Sequence, residues 1–430
     1  MISKDLLKLI ILENQSVIRE RAASLIEREG VILPDEVLRK VSVIFGVRRS
    51  GKTSVLYEIF QQDPERTLYI DFEDERLSSF ELRDFERLRE AFFELRPQLL
   101  HEKAVFLLDE IQNIEGWERF CRRLAEKENV RVIVSGSSSK LLSSEIHTSL
   151  RGRSWGLELF PFSFREYLRA RGVTAIARGF FSSEERMRIR SEYAAFLRWG
   201  GFPEVVRLSS DVERSKVLRD YLGAMFFRDL VERYQITNIP LLDAMLDALF
   251  SSPALAFSLL SFQRRLKQQM PFSKDLLYAY YKYFLESMLI MEARIFSPSA
   301  YKRQRNPAKI YLIDTGLTRR VTTQDTGRLL ENAVFLEYRR CGMTLSYYAG
   351  RGECDFVARD HSDNLACCQV CHEMHETARP REIAGLVEAC KSLGLKQGLI
   401  ITSDEEGEEK SDDIAIRILP FWRWALEEAH

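Results

Sequence analysis

A glycine-rich segment with a lysine and a threonine, GVRRSGKTS, lies between two apolar segments near residue 50. Its spacing, Gly46-x4-Gly51-Lys52-Thr53, fits a phosphate-binding loop, and it follows a predicted strand and precedes a predicted helix, as that loop requires. Glycines let backbone N–H groups face phosphate oxygens, and the helix start adds the positive end of its dipole. The residues expected to hold ATP are Gly46, Val47, Arg48, Arg49, Ser50, Gly51, Lys52, Thr53 and Ser54.

Two residues of this loop have separate expected roles. Lys52 should reach the β- and γ-phosphates, and Thr53 should ligate Mg²⁺ through its hydroxyl group. The alternative is a glycine-rich surface turn, which leaves the SGKTS sequence in this context unexplained. We therefore expect a nucleotide site.

Two adjacent acids end the apolar run AVFLLDEIQN, residues 104–113. An acid at the carboxyl end of a parallel strand lies where ligands collect in an open α/β sheet. Asp109 is expected to hold the Mg²⁺ shell, and Glu110 to polarise a water for in-line attack on the γ-phosphate. The alternative, two solvated acids before a helix, becomes weak beside a phosphate-binding loop.

Three more residues are candidates for the catalytic machinery. Ser137, or alternatively Ser135, follows the strand VRVIVS and could hydrogen-bond the attacking water or the γ-phosphate, although a plain turn would have the same sequence. Arg151 and Arg153 precede another strand, where a guanidinium could neutralise charge on a γ-phosphate of its own or a neighbouring subunit. A surface arginine pair is the alternative.

Apolar runs alternate with amphipathic stretches along the first part of the chain. Continuously apolar strands separated by helices predict a parallel sheet covered on both faces. The pattern is helical over about 161–238, and residues 239–297 hold three helical segments and a short extended piece, compatible with a winged helix-turn-helix. From residue 307 β-type runs return with helices between them, which predicts an α/β multidomain protein. The predicted strands of the first part are VSVIF (41–45), TLYIDF (67–72), AVFLLD (104–109), VRVIVS (130–135) and SWGLELF (154–160).

Composition limits the class of protein. With 430 residues, two to four domains are expected. The net charge of −1 gives no global attraction to nucleic acid, so such binding would need local patches. Seven scattered cysteines, an N-terminus without a signal-peptide pattern, and no uncharged run long enough for a bilayer lead us to expect a cytoplasmic protein without membrane contact.

As a set, the motifs resemble a family of prokaryotic AAA+-like P-loop ATPases with a C-terminal domain like a degenerate PD-(D/E)XK nuclease. The resemblance covers roughly residues 40–425 and implies an AAA+-like core, a helical lid, a winged helix and an α/β nuclease-like domain. The motifs that carry it are GVRRSGKTS, FLLDEIQ, VSGSSSKLL, LRGR, PFSFREYL, GGFPEVV, FFRDLVERY, KIYLIDTGL, ENAVFLEYRR and GECDFVAR. The implied domains are a helical lead-in (1–37), the ATPase core (38–165), the lid (166–238), the winged helix (239–300) and the nuclease-like domain (301–430).

The resemblance also implies which residues of this chain correspond to the catalytic residues of an active nuclease. Active members of that superfamily use a helical acid, an aspartate at a strand start and a D/E-x-K triplet to bind metal. Glu337 and Asp355 match the first two positions, but the triplet is Gln369-Val370-Cys371. Gln369 removes a charged ligand and Cys371 cannot replace a lysine, so we expect a fold without nuclease activity.

Cysteines near this triplet superficially resemble a zinc site. Cys368 and Cys371 are followed by His372 and His375, but the two cysteines would point to opposite faces of a strand. Buried thiols in a sheet are the commoner outcome. We therefore expect ATP and Mg²⁺ as the only cofactors.

Two local basic segments could contact DNA. They are QRRLKQQ (263–269), in the winged-helix candidate, and YKRQRNPAK (301–309), after its extended piece. Surface arginines of an ordinary helical domain are the alternative. Three uses therefore stay open: an ATPase acting on DNA, an assembly or signalling ATPase that binds protein or itself, and an ATP-gated nuclease.

Overall fold

The computed structural model describes residues 2–21, 24–137, 150–173, 181–251, 253–267, 269–320 and 325–427. The chain divides into two compact units, Met1–Phe160 and Pro161–His430. The expected α/β class is confirmed, because the first unit is built on a five-stranded parallel sheet. Among the described helices, none combines the length and hydropathy that crossing a bilayer requires.

All five strands of the first unit come from the apolar runs that predicted them. They lie in the order β2-β3-β4-β1-β5 and pair in parallel throughout. Four α-helices of the described residues connect or precede them. The strands are β1 (Val41–Gly46), β2 (Thr67–Asp71), β3 (Ala104–Asp109), β4 (Val130–Ser137) and β5 (Ser154–Glu158). The helices are α1 (Lys4–Arg21), α2 (Lys52–Gln62), α3 (Asp84–Leu95) and α4 (Trp117–Lys127).

Both faces of this sheet are buried, since successive strand residues point to opposite sides. Phe106 and Leu108 of β3 pack on one face with apolar residues of α1, α3 and α4. Leu107 points to the other face, where Val55 and Phe60 of α2 cover it. This two-sided burial explains the continuously apolar strands and holds the carboxyl end of β1 rigidly against α2.

The second unit begins with helices. Ser163 and Ser182 each form a capping box with the glutamate three residues later, which fixes where the first two helices start. A π-helical segment, Met225–Glu232, follows the fourth helix. These helices are α5 (Phe164–Ala170), α6 (Ser183–Trp199), α7 (Pro203–Arg207) and α8 (Asp211–Ala224).

Four described helices and three short strands follow between residues 239 and 312. The strand β8 pairs antiparallel with both β6 and β7. A short helix, α12, lies between β7 and β8. These elements are α9 (Ile239–Phe250), β6 (Leu255–Phe257), α10 (Leu259–Leu266), α11 (Lys274–Glu286), β7 (Ile290–Ile295), α12 (Ala300–Arg305) and β8 (Ala308–Leu312).

The rest of the second unit continues the same sheet. Because β7 pairs in parallel with β9, nine strands form one mixed sheet, in the order β13-β14-β12-β11-β10-β9-β7-β8-β6. The domain boundaries that the sequence predicts inside this unit stay predictions. The remaining strands are β9 (Thr344–Ala349), β10 (Glu353–Arg359), β11 (Leu365–Val370), β12 (Gln397–Thr402), β13 (Gly407–Ser411) and β14 (Ile414–Pro420). The helices among them are α13 (Thr326–Arg340), α14 (Arg379–Ser392) and α15 (Phe421–Glu427).

Candidate functional site

The loop between β1 and α2 depends on two glycines for different reasons. Gly51, just before α2, has a φ of 101°, a left-handed conformation that favours glycine. Gly46 has no room for a side chain, because a Cβ atom there would lie 2.1 Å from the carbonyl oxygen of Leu159. The loop is therefore fixed both by its own backbone and by the chain that follows β5.

A lysine ammonium lies inside this loop. Lys52 is buried, and its Nζ donates to the carbonyl oxygens of Gly46 and Val47, both at 3.2 Å. Ser50 is fully buried, and its hydroxyl has no hydrogen-bond partner within the described part of the chain. A buried unpaired hydroxyl is costly, so a ligand that hydrogen-bonds it would relieve that penalty. A cation and an unsatisfied hydroxyl in one loop fit a phosphate group.

A buried carboxylate faces the start of α2. Asp109 accepts a hydrogen bond from the Thr53 hydroxyl at 2.7 Å and from the Tyr69 hydroxyl at 3.0 Å, both on Oδ2. Its other oxygen accepts from the Ser135 hydroxyl and from the Glu110 backbone N–H, the latter at 3.1 Å. The structure thus brings together Thr53 and Asp109, the two residues expected to hold Mg²⁺.

The surroundings of Asp109 disfavour its negative charge, which a bound cation would offset. Burial raises the pKa of Asp109, with a smaller contribution from the negative charge of Glu110, whereas hydrogen bonds from Ser135, Thr53 and Tyr69 act to lower it. Asp71, which pairs in register with Asp109, has a pKa raised to about 6, chiefly by burial. Mg²⁺ prefers carboxylate, hydroxyl and phosphate oxygens, and its charge would favour the ionised acids.

Magnesium in such sites is shared between a few side chains and the substrate phosphates. The described residues contain no group of three or more His, Cys, Asp or Glu side chains arranged to hold a metal on their own. Thr53 and Asp109 could supply the protein oxygens of such a site.

The second acid of the pair has an unusual backbone. Glu110 has a φ of 50° and a ψ of 41°, in the left-handed region. For a residue other than glycine this conformation costs about 1–3 kcal/mol, and residues that adopt it cluster at functional sites. The Gln112 side-chain amide donates to its carboxylate. Glu110 is therefore held at the carboxyl edge of the sheet by its own turn and by Gln112.

Within one chain, the structure places neither Arg151 nor Arg153 in this group. The side chain of Ser137 lies outside the described residues, so its role stays a prediction. Arg151 and Arg153 precede β5, whose first residue pairs with Val41 at the start of β1, about 16 Å of strand away from the phosphate loop. Arg153 instead pairs with Glu126 at 3.3 Å. An action on a neighbouring chain stays a prediction.

Sequence reasoning missed three members of this group. Tyr69 lies within the apolar run TLYIDF, where an aromatic residue looks like core, yet its hydroxyl contacts Asp109. Gln112 lies in the DEIQ motif, which by itself predicts no role for it, yet its amide donates to Glu110. Asp71 ends a strand as Asp109 does, and that shared position at the carboxyl edge was the signal that could have identified it.

The second unit corrects the match made for a nuclease-like centre. Glu337 does not approach Asp355; its carboxylate accepts from the Phe164 N–H at 3.0 Å and pairs with Arg340 at 3.0 Å. Six residues on a helix turn a side chain by about 240°, so the acid facing Asp355 is a different one, Glu331. Both acids contact the Lys309 ammonium, at 2.7 Å for Asp355 and 3.1 Å for Glu331.

Gln369, the expected departure from the nuclease triplet, lies beside this cluster. Its side-chain oxygen accepts from the Asp355 N–H at 3.1 Å, and its amide donates to Glu382 at 2.5 Å. Both polar ends of Gln369 are therefore used in hydrogen bonds within the unit.

The cysteines and basic segments also have definite places. All seven cysteines are free thiols, and Cys368 is buried while Cys371 is partly exposed. In segment 301–309, Tyr301 is 67% exposed, but Lys309 is buried. Lys309 is thus unavailable to a DNA phosphate, a correction to the predicted basic segment. Segment 263–269, described except for residue 268, keeps exposed cations in α10.

Two family models match parts of this chain. A family model described as an AAA domain matches residues 38–168, and one described as a domain of unknown function (DUF8612) matches residues 190–327. The first match confirms the predicted AAA-type domain around the phosphate loop. The second names no nuclease, so the nuclease-like domain receives no support.

Two curated relatives are uncharacterized. The protein MJ1544 of Methanocaldococcus jannaschii is 34% identical over 438 residues, covering 98% of this chain and 96% of that protein. A protein of Haemophilus influenzae is 28% identical over 350 residues, covering 78% of this chain and 83% of that protein. The solved Walker-type ATPase paby2304 of Pyrococcus abyssi has a TM-score of 0.42 and 17% identity, covering 69% of this chain and 98% of that one. At that TM-score the structural likeness supports no inference about this chain.

Proposed function

Since the chain belongs to the same protein family as the uncharacterized protein MJ1544 of Methanocaldococcus jannaschii and carries an AAA domain, we propose that it is a Mg²⁺-dependent ATPase. It uses ATP hydrolysis to rearrange its parts on a DNA or protein partner. The observation that carries the proposal is the loop itself. A buried lysine ammonium and an unpaired serine hydroxyl lie in it, and Thr53 contacts Asp109 at 2.7 Å beside it.

Each residue of the site has a role that follows from its position. Lys52 exchanges its two carbonyl partners for phosphate oxygens, which are stronger acceptors for an ammonium group. Thr53 and Asp109 would hold Mg²⁺, which neutralises charge on the phosphates when bound. Glu110 accepts a proton from the attacking water.

The two arginines complete this site only from another chain. Arg151 and Arg153 lie at the amino edge of the parallel sheet, whereas the phosphate loop lies at its carboxyl edge. An arginine that meets the γ-phosphate of a neighbouring copy would couple hydrolysis to assembly, and such an arginine can be worth about 10³-fold or more in turnover. Ser137 is proposed to contact the attacking water or the γ-phosphate.

A glutamine variant of Glu110 tests ATP binding and ATP hydrolysis separately. Glu110→Gln keeps the shape of the side chain and removes the base, so ATP should still bind while turnover falls by about 10²-fold or more. Glu118→Gln, in the first turn of α4, makes the same chemical change at another glutamate and is the matched control. Unchanged hydrolysis by Glu110→Gln would show that water is activated elsewhere.

DNA is the partner that the second unit favours. Residues 239–312 hold three helices and three antiparallel strands, with the short helix α12 between the last two strands, and this order supports a winged helix. Arg264 and Arg265 of α10 are exposed, as are Lys302 and Arg305 of α12. Exposed cations of such a unit can contact phosphates of a duplex.

Salt dependence tests this partner. Binding of a labelled duplex should weaken steeply between about 50 and 200 mM salt, and replacing both Lys302 and Arg305 with alanine should reduce the log–log salt slope by about two. Lys396→Ala, at another exposed lysine, is the control. Absence of DNA binding together with a co-purifying protein would favour the assembly ATPase, and metal-dependent cutting abolished by Asp355→Asn would favour the nuclease.

A further inference from the structure

A buried arginine outside the phosphate loop contacts it. Arg28 lies in the segment between α1 and β1 and is only 8% exposed. Its Nη1 donates to the carbonyl oxygen of Ser50 at 2.7 Å, and its Nη2 donates to that of Phe160, also at 2.7 Å. One planar guanidinium therefore joins the phosphate loop to the last residue of the first unit.

The contact with Ser50 sets the direction of the next amide. The Ser50–Gly51 peptide is trans, and in a trans peptide the C=O and N–H groups point in opposite directions. Because Arg28 holds the Ser50 carbonyl on its own side, the Gly51 N–H points away from Arg28. Gly51 has a φ of 101°, so this peptide would otherwise sample several orientations at low cost.

Two neighbouring groups of the loop can also donate hydrogen bonds to an anion. Lys52 follows Gly51 in the sequence, and its ammonium group lies in the loop against the carbonyl oxygens of Gly46 and Val47. The Ser50 hydroxyl is buried without a partner in the described part of the chain. An ammonium, an unpaired hydroxyl and a fixed N–H on consecutive residues form a preorganised set of donors for an anion.

We propose that Arg28 is a positioning residue of the phosphate loop, which fixes the Ser50–Gly51 peptide so that the Gly51 N–H donates to a nucleotide phosphate. The inference rests on the proposed function, since it assigns a further residue to the same site. Arg28 acts through the backbone and does not touch the nucleotide. The segment before β1 therefore belongs to the nucleotide site although no motif marks it.

Titration of ADP into the full-length protein without Mg²⁺ measures how Arg28 affects phosphate binding, separately from any effect of the metal. Arg28→Gln should weaken ADP binding by about tenfold or more, since a hydrogen bond from a charged group is lost and the peptide is released. Arg28→Lys should recover only part of the affinity, because an ammonium lacks the planar fork that reaches both carbonyls. Arg19→Gln removes an exposed cation of the same N-terminal region and should bind normally.

Hydrogen exchange supplies a readout that a stabilising role alone would not change. In the wild-type protein ADP should slow exchange of the Gly51 amide by about tenfold or more, and in Arg28→Lys that protection should be reduced. Wild-type ADP affinity in both Arg28 variants would overturn the inference and leave the proposed function standing. If Arg28→Gln does not fold, an unprotected Gly51 amide in ADP-bound wild type overturns it equally. Absence of ADP binding by the wild type would overturn both.

Discussion

Replacing Lys309 with methionine tests how the second unit is held together. The Lys309 ammonium contacts Asp355 at 2.7 Å, Glu331 at 3.1 Å and Glu353 at 3.3 Å, and its side chain is 7% exposed. Burial acts to lower the pKa of Lys309, but the carboxylate of Asp355 and its neighbours raise it above the usual value. The lysine is thus the charged partner of a buried carboxylate cluster that joins β8, α13 and β10.

The expected loss can be worked from these contacts. Removing one partner of a buried ion pair costs about 3–5 kcal/mol, because the other charge stays buried. Burial, and then the charge of Asp355, raise the pKa of Glu331 to about 8, so at pH 6 this acid is already protonated. Asp355 is then the main uncompensated charge, and it still accepts the Val370 N–H at 3.0 Å. We expect a loss of about 3 kcal/mol at pH 6.

The loss should grow with pH. The native pKa of Glu331 exceeds its unfolded value, so the folded protein binds an extra proton, and this contribution to stability is present below the unfolded pKa and lost as pH rises through about 8. Without Lys309 the native pKa of Glu331 rises further, since the ammonium acts to lower it. Because pH 9 lies one unit above the wild-type pKa of about 8, this rise increases the difference between variant and wild type at pH 9 by at most about 1.4 kcal/mol.

Urea unfolding at pH 6 and pH 9, followed by far-ultraviolet circular dichroism, measures these values. Lys302→Met is the matched control, because it removes the same side chain from an exposed position of α12 and should change stability by less than about 0.5 kcal/mol. A Lys309→Met variant within about 1 kcal/mol of the wild type at both pH values would refute the reasoning. So would a loss that shrinks as pH rises.

Two further predictions concern the nucleotide site. Tyr69→Phe removes a donor that lowers the pKa of Asp109, so the acid limb of the Mg²⁺-ATPase pH profile should move to higher pH; an unmoved limb would contradict the role of Tyr69. Arg151→Ala or Arg153→Ala should bind ATP nearly normally but hydrolyse it poorly, and mixing either with Glu110→Gln should partly restore turnover. A mixture that stays inactive while both variants are folded and associated would contradict action between chains.

Sequence patterns predict the first unit well because its strands and its phosphate loop are determined by residues that lie close together in the sequence. Each strand is a continuous apolar run, since the sheet is covered on both faces. The phosphate loop is set by glycines at fixed spacing, and one of them has the left-handed φ that its type predicts. Thr53 and Asp109 meet because the carboxyl ends of β1 and β3 lie at the same edge of the sheet.

The contacts that sequence reasoning missed depend on distant parts of the chain. Arg28 lies 22 residues from Ser50 and 132 from Phe160, and no spacing rule joins such positions. The sequence alone predicts that Lys309 belongs to a basic surface segment. In the structure, β8 places it against the acids of α13 and β10. Motif position alone points to Glu337, whereas the rotation of the helix makes Glu331 the facing acid.

The central claim is that the loop around Lys52 binds the phosphates of ATP. Calorimetric titration of Mg²⁺-ATP into the wild-type protein and into Lys52→Ala tests it most directly, with Lys127→Ala at an exposed position of α4 as the control. The account predicts binding by the wild type and the control, and loss of most binding in Lys52→Ala, because the ammonium inside the loop is gone. Normal ATP affinity in Lys52→Ala would contradict it.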